Sequence, residues 1–260
     1  TLDRYEDATR GIDRLARSIT EGQADGVPTD DAETALASAR VALSNADYET
    51  ALERVDRGRT LLERATVADS RVTELATRLA ESNREYPPIG DRLAAARSAL
   101  DAGDYDEAIS IADGGLALHD TAREAAEAVT ALADNLRRVD RSFPQIADRL
   151  AAARSALDAG DYDEALSIAD EGSARFESAG AAAQSVSELE NRSNAAAADG
   201  LNLPYVRSQL EAARVALDAG EYESAESYAN AGLENVDAAR ETATLLEAVE
   251  RQDGVAGVLT

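Results

Sequence analysis

Residues 91–113 read DRLAAARSALDAGDYDEAISIAD and residues 148–170 read DRLAAARSALDAGDYDEALSIAD, identical except for Ile109 against Leu166. Two looser copies flank them. One runs from Leu36-Ala-Ser-Ala-Arg40 to Asp47-Tyr48, the other from Leu210-Glu-Ala-Ala-Arg214 to Glu221-Tyr222. Three residue types mark the register. Arginine recurs at Arg40, Arg97, Arg154 and Arg214, tyrosine at Tyr48, Tyr105, Tyr162 and Tyr222, and glycine at Gly58, Gly115, Gly172 and Gly232. All three series step by 57, 57 and 60 residues, and three independent coincidences of this kind point to tandem duplication. The expected units are 1–64, 65–121, 122–180 and 181–260 in one continuous array.

Within a unit the pattern predicts a short helix, a tight turn and a long helix. In the second unit Leu93, Ala96 and Leu100 fall on one helical face, which predicts a short helix from Ile89 to Ala102. Gly103 then supplies the left-handed position that ends a helix. Asp104 with Glu107 three residues on reads as a capping box that starts the next helix, and Gly160, Asp161 and Glu164 repeat the signal. Gly220 with Glu221, and Asn45 to Asp47, are weaker versions. The long helix meets no strong breaker from Asp104 to Val139. An apolar-proline pair opens each unit, at Val27-Pro28, Tyr86-Pro87, Phe143-Pro144 and Leu203-Pro204, since proline suits a first helical position where its missing N–H costs nothing. Residues 2–22 read as the second half of a long helix. With a first residue Thr1 and no methionine, the chain is expected to be a piece of a longer or processed polypeptide.

The expected fold class is all-α. A long helix of ~37 residues followed by a short one that returns ~15 advances each unit by roughly 33 Å at 1.5 Å per residue. The second half of one long helix, the next short helix and the first half of the next long helix then lie side by side. The outcome expected is an elongated rod of overlapping three-helix bundles. The alternative is a compact superhelical solenoid of face-to-face hairpins.

Composition bounds the function. The 260 residues carry a formal net charge of -25, and every one of the 26 basic residues is arginine. A surface this acidic suits molar salt, where carboxylates stay hydrated and screening cuts their repulsion to a range of about 3 Å. Lysine is missing, and with it the long apolar stems that salt would drive together. The composition resembles that of haloarchaeal proteins. The arginines stand singly among carboxylates, which disfavours nucleic acid and anionic membrane surfaces, both of which call for clustered positive charge. No run of about 18 apolar residues predicts a membrane span. With no cysteine there is no thiol or disulfide chemistry, so redox logic does not place the chain; the cytoplasm of a halophile and the extracellular side of a membrane-tethered protein both stay open.

The stretch Ala102-Gly-Asp-Tyr-Asp-Glu-Ala108 resembles the turn and second helix of a tetratricopeptide repeat. That family places a tyrosine after the turn, an alanine three residues on and a small residue seven further. Here these are Tyr105, Ala108 and Gly115, then Tyr162, Ala165 and Gly172, then Tyr222, Ala225 and Gly232. The period departs from the family's 34 residues, the first helix lacks its Trp/Leu-Gly-Tyr signature, and no proline closes the second helix. The resemblance implies a helical scaffold that binds peptides or proteins, with an extended second helix.

Each marker has a structural and a functional reading. The tyrosines pack between hairpin helices with the hydroxyl at the edge, or they line a groove. The glycines admit a close neighbouring helix, or they kink their own. The arginines pair with Asp101, Asp158 and Asp218 four residues on or with acids across the hairpin, or they bind anions. Asp101, Asp104, Asp106 and Glu107, and likewise Asp158, Asp161, Asp163 and Glu164, are dense enough for a cation but lack the spacing of a calcium loop. His119, the sole histidine, is read as a helix-surface or interface residue; its counterpart is Phe176. Asn191-Arg192-Ser193 fits a glycosylation acceptor by pattern alone. No catalytic, cofactor-binding or metal-ligating residue is expected. The function expected is a non-enzymatic scaffold or spacer holding protein partners, with a membrane-tethered stalk, and then a cation-binding domain or enzyme, as alternatives.

Overall fold

The computed structural model describes residues 2–139 and 141–256, with side chains as far as Val249. Among these residues the chain is all-helical, in nine α-helices without a strand. They are α1 (Leu2–Ala24), α2 (Asp30–Ser44), α3 (Tyr48–Glu81), α4 (Pro87–Asp101), α5 (Tyr105–Arg137), α6 (Pro144–Ala159), α7 (Tyr162–Ala198), α8 (Pro204–Ala219) and α9 (Tyr222–Ala256). Short and long helices alternate from α2 onward, and α4 and α5 lie within two residues of the bounds expected from the sequence.

Glycine and proline set these bounds. Gly103, Gly160 and Gly220 take φ of +80°, +86° and +76°, the left-handed conformation glycine adopts without steric cost. At each turn the N–H of the residue after the glycine reaches back to close the helix. Asp104 donates to the Ala99 carbonyl, Asp161 to Ala156 and Glu221 to Ala216, all at 2.8–2.9 Å. The α2–α3 turn makes the same bond from Asp47 to Ala42 at 3.0 Å, but there the left-handed residue is Ala46, at φ +59°. Pro87, Pro144 and Pro204 each begin a short helix as expected. Pro28 does not. Thr29 precedes α2 and Asp30 starts it, so in the 57-residue register Asp30, not Pro28, stands where Pro87 does.

At α7 the capping-box expectation needs correction. Asp161 precedes the helix with no side-chain cap hydrogen bond; its carboxylate is exposed and the backbone closes the turn. The weaker candidate Asp47 does cap α3, accepting from the Thr50 N–H at 3.2 Å.

The chain divides within α5 into two compact units, residues 1–124 and 125–260. In the first, α1, α2 and α3 pack mutually and α4 packs on α3. In the second, α6 packs on α7, and α7, α8 and α9 pack mutually. Both cores mix alanine with larger apolar side chains in similar numbers. Leu75 and Ile89 are fully buried in the first unit, and Leu132, Ile146, Leu189, Val206 and Val236 in the second. Alanine at nearly half of the buried positions lets helices approach closely without loss of helix propensity.

Candidate functional site

The four marker glycines are buried at points of helix contact. A Cβ built on Gly58 would lie 2.7 Å from Leu15 Cδ2. On Gly115 it would lie 2.6 Å from Leu75 Cδ2, on Gly172 2.5 Å from Leu132 Cδ2, and on Gly232 2.6 Å from Leu189 Cδ2. Each long helix therefore presents a notch that receives a leucine from the preceding long helix. Leu75, Leu132 and Leu189 are fully buried, so they have no free space into which to retreat. Of the two readings of these glycines, close approach is the one observed.

The marker tyrosines are mostly core. Tyr105, Tyr162 and Tyr222 are buried, while Tyr48 is partly buried and meets Tyr5 edge to face at 5.9 Å between ring centroids. The Tyr105 hydroxyl donates to Asp31 at the start of α2. Burial first, then the Asp31 charge and this hydrogen bond, push its pKa up to about 12. Burial also raises the Tyr222 pKa, against the lowering effect of the Arg175 and Arg141 guanidiniums.

Of the marker arginines, Arg214 takes a different partner from the one four residues on. Arg40, Arg97 and Arg154 are exposed on the short helices. Arg214 reaches across to Glu190 on α7 at 2.7 Å rather than along α8 to Asp218, which is held by Arg141 at 2.6 Å. A cross-helix partner draws the guanidinium away because the i, i+4 order Arg-then-Asp is the less favourable one. The sequence reading missed a ladder between α3 and α5. Arg64 bonds Asp106 at 2.9 Å, Arg71 bonds Asp113 at 3.3 Å, and Arg78 bonds Asp120 at 3.0 Å. Both rows step by seven residues, the spacing of a helix-helix seam, and that common step was the available signal. Asp106, weighed as a cation ligand, is thus a rung of the ladder. Among the described residues no three His, Asp or Glu side chains converge as a metal site would require.

His119 is not on the surface: it is 7 % exposed, with its ring 5.9 Å from Tyr86 at 80°. Its interface reading holds. Neither ring nitrogen has a hydrogen-bond partner, and Nδ1 lies 4.0 Å from Asp120 Oδ1. In register its place is taken by Leu62, Phe176 and Val236, so the imidazole fills an apolar slot. A ring buried this way has no solvent-facing nitrogen to hold a proton for a substrate. A shallow groove of about 540 Å³ beside the α3–α4 connection is lined by Leu79, Asn83, Arg84, Tyr86 and Pro87 among others. Among the described residues no helix is long and apolar enough to cross a membrane. Comparison of the chain with protein-family models, with curated proteins and with solved structures found no match.

Proposed function

We propose that this chain is a non-enzymatic helical-repeat scaffold, a spacer whose helix faces hold protein partners in a high-salt environment. The observation that carries the reading is the leucine-in-glycine contact at Gly58, Gly115, Gly172 and Gly232, which gives four long helices one and the same joint. Chemistry spent on identical joints, with Leu75, Leu132 and Leu189 fully buried in them, fits a part whose task is to set distance and orientation. The tetratricopeptide-like Tyr-Ala-Gly spacing and the lysine-free acidic composition support a protein-binding role in molar salt. An end-to-end array of three-helix bundles belongs to the same proposal.

Two measurements test it. Small-angle scattering in molar salt is expected to give the distance distribution of an elongated particle, and a compact one would overturn the spacer. Circular dichroism is expected to show helix loss on dilution from molar to millimolar salt. A signal that stays flat removes the high-salt part of the reading.

A further inference from the structure

Leu245, Leu246 and Val249 stand 61, 59 and 53 % exposed on the second half of α9. Leu246 occupies the register position of Ile12, Val72, Val129 and Val186, and Val249 that of Leu15, Leu75, Leu132 and Leu189. Those eight side chains are at most 5 % exposed. The last four of them fill the glycine notches of the next long helix. The stripe on α9 also continues a face already in use, since Val236 and Gly232, about three and four turns before Leu246, are buried against the α7–α8 side of the unit. One apolar stripe thus runs from an occupied half of the helix onto a half that, among the described residues, nothing covers. A helical segment of about 15 residues is marginal in water without tertiary packing.

We propose that the second half of α9 is a docking face for a partner helical hairpin built like α8–α9. Such a hairpin is a short helix with an alanine face followed by a long helix that sets a glycine against Val249. This rests on the repeat-scaffold reading and names its partner by chemistry. At Gly232 an added Cβ would come within 2.6 and 2.8 Å of the two Leu189 methyl carbons. Val249 is one methylene shorter than that leucine, so the partner is expected to set a small residue, glycine in the built example, against it. Leu246, in the place of Val186, supplies the apolar contact one turn before it.

The test uses the full chain and, as probe, a fluorophore-labelled peptide of residues 204–238, the hairpin that covers the corresponding face of α7. Anisotropy titration in molar salt is expected to saturate. Leu246→Glu in the chain, or Gly232→Val in the peptide, should weaken binding at least tenfold, because each places a charge or excess volume in the joint. Absence of saturable binding, or binding indifferent to Leu246→Glu, overturns the proposal. So does sedimentation that shows the chain alone to be a dimer which Leu246→Glu dissociates, since the face would then belong to a second copy. Gly115→Val and Gly172→Val in the full chain separate the two levels. If both lower its denaturation midpoint while the peptide fails to bind, only the docking face is lost; if neither does, the repeat reading fails as well.

Discussion

Tyr86 against His119 in the first unit and Phe143 against Phe176 in the second are one place built twice. The ring centroids stand 5.9 and 6.1 Å apart at 80° and 83°, and the residues are 57 apart in both members. The same edge-to-face geometry survives a change from two phenylalanines to a phenol and an imidazole. Ring size and the direction of approach define the slot, and polarity is tolerated at a cost. The cost falls on His119, whose two nitrogens lie buried without a partner. The phenylalanine pair carries no such burden, so the two slots should respond differently to the same substitutions.

Truncation gives the largest expected difference. Phe176→Ala should lower stability by about 3 kcal/mol, as loss of a packed ring does. His119→Ala should cost well under half of that, because the cavity it leaves is offset by removal of two unsatisfied nitrogens. Urea denaturation in molar salt measures both, and equal losses would break the comparison. Exchange of the two residues sharpens it. His119→Phe should raise stability by about 1–2 kcal/mol and Phe176→His should lower it by a similar amount. If His119→Phe destabilises, the imidazole holds a partner in solution and the two slots differ in kind.

The turns allow a parallel contrast. Ala46 sits at φ +59° where the other three hairpins have glycine, and a left-handed L-residue carries about 1–2 kcal/mol of strain. Ala46→Gly should raise the thermal midpoint. Gly103→Val should lower it more than that gain, since valine is β-branched and its Cβ would meet Asp31 Oδ2 at 2.7 Å. Tyr105 in the first unit predicts an alkaline limb. An unfolded phenol titrates near 10, whereas the folded one keeps its proton to about 12. Above pH 10 the folded state binds more protons, so its contribution is intact below pH 10 and is lost as pH rises toward 12. Tyr105→Phe should flatten that limb in a denaturation series. The smallest effect belongs to the α3–α5 ladder. Arg71→Ala should cost a few tenths of a kcal/mol at low salt and nothing measurable in molar salt, because these pairs are exposed and screened.

Helix order and ends were legible because their signals are local. Gly103, Gly160, Pro87, Pro144 and Pro204 each act through their own backbone, so the residue type alone announces the geometry. The notch role of Gly115 was legible from repetition joined to the helical cost of glycine. Side-chain partners were not legible in the same way. Asp47 caps and Asp161 does not, though both are aspartates before a tyrosine, because a rotamer decides the bond and the sequence holds only the carboxylate. Arg141 finds Asp218 across 77 residues, a distance that no local rule spans. The sequence left His119 between a helix surface and an interface; its register partners Leu62, Phe176 and Val236 are all apolar and describe its surroundings better than its neighbour Asp120 does.

The glycine notch also has a mechanical meaning. The ladder steps in the same direction on α3 and α5, so a tension drawn along the first unit tends to shear these helices past one another. A slip of one helical turn would bring Ile111 or His119 under Leu75 in place of Gly115, and neither leaves room for it. In the spacer proposed above the joint would act as a detent, resisting axial pull through the volume of one leucine, a resistance that salt does not screen.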